Sequence, residues 1–89
     1  MRYIQDAVEE LGDTALVIAM EECSELQKAI SKHIRNRGDI TNTIEEIGDV
    51  LICIEWLKVA LGISEEDINN WIEIKKRRIE RQLDEGVLG

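Results

Sequence analysis

Across 89 residues the chain contains no proline, and its apolar residues recur three and four positions apart almost from end to end. Segments of that kind leave the backbone no forced break, and the spacing puts one apolar stripe along each helix. The same composition disfavours strands, because Phe is absent and aromatic residues are only 3% of the total. Charged residues at 34% and hydrophobic ones at 44% suit amphipathic helices. An all-α fold is expected, as a single domain over residues 1–89, since this length leaves no room for a second core.

Glycines and capping residues divide the chain into four helices. Tyr3, Ile4, Ala7, Val8 and Leu11 share one side of a short first helix that Gly12 closes. Asp13 is placed to cap a second helix, which runs to about Arg37 before Gly38 ends it. The loop from Gly38 to Asn42 leads into the third helix. Asn42 with Glu45 is the expected cap there, in competition with a Thr43–Glu46 capping box, and the helix ends near Leu61 and Gly62. Ser64 caps the fourth, with Glu65, Glu66 and Asp67 in the first turn where the helix dipole favours acids. Ile68, Trp71, Ile72, Ile79 and Leu83 trace its apolar side. An antiparallel four-helix bundle-like arrangement follows. Ile44, Leu51 and Ile52 lie outside the main stripe of the third helix, which predicts a second buried surface and a homo-oligomer, dimer or tetramer.

Inside the second and third helices lie two matched acidic segments, Met20-Glu21-Glu22-Cys23-Ser24-Glu25-Leu26 and Ile44-Glu45-Glu46-Ile47-Gly48-Asp49-Val50. Glu22 with Glu25, and Glu46 with Asp49, are three apart and so share a helix face. A helical wheel puts Glu46 and Asp49 within or beside the stripe of Val50, Cys53 and Leu57, and puts Glu22 and Glu25 on the flank of the second helix among Ala15, Ile18 and Ala29. Glu21, Lys28, Glu45 and Glu55 point to solvent. A single acid at a stripe edge needs no explanation beyond reaching water. Two matched pairs do, because an ionised carboxylate taken out of water is costly unless compensated, and a divalent cation that prefers hard oxygen ligands supplies the compensation. Gly48, between the second pair, leaves the backbone open to close approach.

The net charge of −8, from 11 basic and 19 acidic residues, argues against binding polymeric nucleic acid or an anionic membrane. Cys23 and Cys53 both fall on apolar stripes and are expected to be buried free thiols of a reducing compartment. With no signal-peptide pattern and no apolar run long enough to span a bilayer, a cytoplasmic location is expected. Lys28, Lys32, His33, Arg35 and Arg37 suit the negative end of the second helix. Lys32, two turns beyond Glu25 on the same side, is a candidate for holding phosphate. The densest basic cluster runs Lys75-Lys76-Arg77-Arg78 and then Arg81. Lys76 and Arg77 read as solvent-facing, whereas Lys75 lies on the stripe with Arg78 on the same face, as groups that bind phosphate oxygens would.

Glu22-x-x-Glu25 followed after twenty residues by Glu46-x-x-Asp49 resembles the signature of the MazG-like all-α nucleoside triphosphate pyrophosphatases. Glu21-Glu22-Cys23-Ser24-Glu25-Leu26 is similar to that superfamily's first metal helix and Glu45-Glu46-Ile47-Gly48-Asp49-Val50-Leu51 to its second, while Lys75-x-x-Arg78 resembles a basic motif on the last helix of small members. The likeness covers the chain from about Gly12 to Leu83. It implies Mg²⁺, with Mn²⁺ as an alternative, held by Glu22, Glu25, Glu46 and Asp49, and cleavage of a nucleoside triphosphate to its monophosphate and pyrophosphate. In that chemistry Glu21 or Glu25 would take the proton of the attacking water, and Lys32, Lys75 and Arg78 would hold the outer phosphates. Many small members carry a Gln shortly before the first motif; Ala15-Leu16-Val17-Ile18 stands here, so the resemblance does not extend to base or sugar. A phosphoribosyl-ATP pyrophosphohydrolase-like enzyme is the neighbouring alternative, and a non-catalytic helical interaction module is the alternative of another class.

Overall fold

A computed structural model describes residues 2–88. A π-helical turn over Arg2–Asp6 runs directly into α1 (Ala7–Leu11), and α2 (Thr14–Ile34), α3 (Ile40–Leu61) and α4 (Glu65–Glu85) follow. Among the described residues there is no strand, so the expected all-α class is what the chain adopts.

The helix ends show where local chemistry departs from the sequence reading. Gly12 terminates α1 as expected, with φ of 57°. Asp13 makes no side-chain cap, because its own backbone is already helical at φ −61°. The first amides of α2 are satisfied instead by the carbonyls of Gly12 and Asp13, at 3.0 Å to Ala15 N and Leu16 N respectively. At the other end, α2 stops at Ile34 rather than near Arg37. Asn36 takes the left-handed conformation at φ 58°. The Asn36 and Arg37 amides then donate back to His33 and Lys32 carbonyls at 3.0 and 2.8 Å, a closing motif that usually recruits Gly. Gly38 serves a different purpose: a Cβ there would come within 2.9 Å of the His33 Cα, so only glycine lets the loop fold onto the end of α2.

The third helix begins earlier than expected. Asp39, in an extended conformation, accepts a hydrogen bond from the Thr41 amide at 3.0 Å and is the true N-cap. Asn42 and Thr43 are inside the helix, which frees both Glu45 and Glu46 from capping. Ser64 caps α4 as expected, accepting from the Asp67 amide at 3.0 Å.

Helices α2 and α3 pack as an antiparallel hairpin. Its seam is made of small side chains, Ala15, Ala19 and Ala29 from α2 against Cys53 from α3, none more than 3% exposed. Small residues let two helix axes approach closely, and that approach draws the flanking acids of both helices together. The N-terminal segment closes one end of the hairpin, where the Trp56 indole Nε1 donates to the Tyr3 carbonyl at 2.7 Å. Cys23 departs from expectation: it is exposed, on a side of α2 that α3 does not cover, while Cys53 is buried.

The last helix stands apart. After Gly62, α4 leaves the hairpin and packs along none of the other helices, and no residue of α4 is buried. Lys58 bridges the corner, bonded to Glu55 at 2.8 Å and to Glu65 across the turn. A closed four-helix bundle is therefore not completed within one chain. The radius of gyration is 16.2 Å, against about 12 Å for a compact chain of this length.

Candidate metal centre

Three of the four expected carboxylates converge at the middle of the hairpin. Glu22 from α2 and Glu46 and Asp49 from α3 each place an oxygen within 4.8 Å of the others. Glu22 and Glu46 are half-buried and Asp49 is exposed. The spacing explains the meeting: Glu22 lies one turn from Ala19 and Cys53 one turn from Asp49, so both acids sit in or beside the small-residue seam.

Glu25 does not join them. Three residues beyond Glu22 it has rotated by about 60° around α2, is exposed, and holds Lys28 Nζ at 3.2 Å. It remains close enough for its charge to reach Glu22.

Electrostatics at the cluster are unfavourable as the chain stands. Glu22 is pushed above its usual carboxylate range, first by burial and then by the Asp49 carboxylate, which faces it closely enough to share a proton, with smaller contributions from Glu46 and Glu25. Cys53, beneath, is also pushed up, by burial and then by Glu22, Cys23 and Asp49. Glu46 Oε2 is shut off from solvent and has no hydrogen-bond partner. A buried oxygen that accepts nothing, facing two further acids, is a donor set that fits a hard divalent cation. The lysine ion pairs do not relieve it, since Lys28, Lys58 and Lys76 bind Glu25, Glu55 with Glu65, and Glu73.

A recess of about 220 Å³ opens directly beside these acids, walled by Ile18, Ile52 and Trp56 and floored by Glu22, Asp49 and Cys53. The sequence reading sets Ile18 on the flank with Glu22 and assigns Ile52 to a second buried surface, without joining them to Trp56 as one recess. Their signal was present, since Trp56 lies seven residues after Asp49 and hence two turns along the same side.

The remaining candidates lie elsewhere. Glu21 is exposed on the solvent side of α2 and Lys32 is exposed near its C-terminal end. Lys75 and Arg78 are exposed on α4, with the Arg78 guanidinium 5.2 Å over the Trp71 ring, and their own chain does not bring them to the acids. A Cβ placed on Gly48 would meet open space, so this glycine leaves the α3 backbone accessible from outside.

No family model, characterised protein or solved structure matches this chain.

Proposed function

We propose that the chain is a Mg²⁺-dependent nucleoside triphosphate pyrophosphohydrolase that releases pyrophosphate and a nucleoside monophosphate. The observation that carries this reading is the convergence of Glu22, Glu46 and Asp49, with one Glu46 oxygen buried and unpartnered. These three would hold the cation, with Mn²⁺ able to replace Mg²⁺. When bound, such an ion neutralises phosphate charge and makes a water more acidic.

The chain's own groups supply the rest. Glu25, exposed and engaged only by Lys28, is placed to join the cation's ligands or to take the proton of the attacking water. Glu21, turned to solvent, is the less well placed of the two for that proton. The recess beside the acids offers Ile18, Ile52 and the fixed face of Trp56 to the nucleoside, keeping its flat base out of water while the phosphates meet the acids. Lys32 would steady the outer phosphates, and Lys75 and Arg78 would do so from another copy. The working form is then a homodimer or homotetramer in which the bundle is closed by contacts between copies. The two free thiols suit a reducing cytoplasm. None of the helices is long and apolar enough among the described residues to cross a membrane.

Pyrophosphate release tests the proposal, using a panel of ribo- and deoxyribonucleoside triphosphates together with phosphoribosyl-ATP, with Mg²⁺ and with chelator. Release from at least one compound, abolished by chelator and by Glu46→Gln, is the expected result. No release from any of them would leave a helical binding module as the better reading.

A further inference from the structure

The surface of one chain is too large for its mass. It exposes 7070 Å² at 10.2 kDa, whereas a folded monomer of that mass exposes about 5,300 Å². The excess of about 1,800 Å² per copy, buried on both of two copies, comes to about 3,500 Å², within the range of about 2,000–5,000 Å² of obligate homodimers.

Two of the open apolar surfaces are complementary in shape. On one side, α4 carries Ile68, Trp71, Ile72, Ile79 and Leu83 along one face about 22 Å long, none of it buried by its own chain. On the other, a groove of about 450 Å³ runs along α2 beside Leu57 of α3, lined by Leu16, Ala19, Met20, Cys23 and Gln27. Met20, at its rim, is 73% exposed. One chain therefore presents both an apolar ridge and an apolar groove, and its own corner holds them apart. Charge does not oppose the fit: the groove lining carries no charged side chain, residues 2–61 as a whole carry six basic and twelve acidic side chains, net −6, and residues 73–81 of α4 carry five and two, net +3. Ridge and groove on the same molecule are the requirement for a two-fold exchange in which each copy gives and receives one helix.

We infer that α4 of one copy docks in the α2–α3 groove of a second copy, with the basic middle of the arm set against the acidic hairpin. This rests on the homo-oligomer proposed above and is independent of the chemistry assigned to the acids. Placing the arm there covers Met20 and Leu57 with Ile72 and Ile79, on the side of the hairpin away from the acid recess, so contact of Lys75 and Arg78 with phosphate would need a further copy, as in a tetramer.

Exposed Cys23, in the groove, provides a built-in reporter, since Cys53 is buried. The test introduces Ile72→Cys and, separately, Ile79→Cys into the full chain, oxidises it mildly and resolves it on a non-reducing gel, alongside sedimentation of the unmodified protein. The expected result is a dimer by sedimentation and a covalent dimer from at least one variant, lost when Cys23→Ser is added. A disulfide formed within a single chain would mean the arm folds back on itself and would overturn the inference. A sedimenting oligomer that forms no Cys23 cross-link in either variant would overturn the docking while sparing the oligomer. A monomer at micromolar concentration would overturn both. Pyrophosphate release, read separately, bears on the acids alone. Ile72→Asp with Ile79→Asp should raise the dimer dissociation constant at least 100-fold.

Discussion

Glu46 concentrates the energetic problem of the site in one atom. A carboxylate oxygen buried without a donor destabilises the metal-free chain, and Glu46→Gln removes the charge while adding an amide that can donate to Glu22 or Asp49. The expected outcome is a rise of about 1–3 kcal/mol in stability with chelator present, read by urea denaturation, together with loss of any Mg²⁺-dependent pyrophosphate release. Glu22 makes a pH prediction of definite sign. Its folded-state pKa is raised, so the folded chain binds more protons than the unfolded one between the usual 4.5 and the raised value. Metal-free stability should therefore increase as pH falls from neutral through that window and level off below the usual carboxylate range. Saturating Mg²⁺ should flatten or reverse the trend, because the cation binds the deprotonated form. Denaturation midpoints across pH, with and without Mg²⁺, check both halves. Trp56→Ala should raise KM for a hydrolysed nucleotide about tenfold, the size of one lost base–aromatic stack, and change kcat much less; an unchanged KM would remove the recess from the nucleotide site. The acids were legible because a wheel depends only on spacing. Glu25 lies beside the converging acids, holding Lys28, and a wheel does not foresee this because it gives direction but not where the partner helix lies.

At the level of the elements, the seam between α2 and α3 is the part least able to change. Ala29, 2% exposed and lining neither the groove nor the recess, has little room for a longer side chain. Ala29→Leu should cost about 1–3 kcal/mol through overpacking and force α2 and α3 apart beside the acids, so the denaturation midpoint and Mg²⁺ affinity should fall together. Four helices could be read from Gly12, Gly62 and the Ser64 cap, since these impose their geometry whatever surrounds them. The start of α3 was harder: Asp39, Thr41, Asn42 and Thr43 are all competent caps, and only the backbone at Asp39, extended and followed by helix, selects among them. The end of α2 was misread because Asn36 took the left-handed position usually given to Gly. The exposure of Cys23 follows from the same gap as Glu25, an apolar stripe on α2 wider than the strip that α3 covers.

The whole molecule shows what periodicity cannot supply. The apolar pattern of α4 is as regular as that of α2, yet α4 has no packing partner in its own chain. A sequence states that a face will be buried without stating in which copy. If the stable unit is an exchanged dimer, the thermal midpoint should climb as protein concentration rises, because unfolding and dissociation are then one event. A midpoint independent of concentration over a hundredfold dilution series would count against it.

Lys58 gives this architecture a particular vulnerability. It ties Glu55 at the end of α3 to Glu65 at the start of α4, and those contacts raise its own pKa above the ordinary lysine value. The bearing of the last helix is thus fixed by ionic attraction at a corner, more than by interlocked side chains. Strong salt, or acid enough to discharge the two glutamates, would slacken that joint while the alanine seam stays shut. The last helix would then swing about Gly62 while the hairpin keeps its shape.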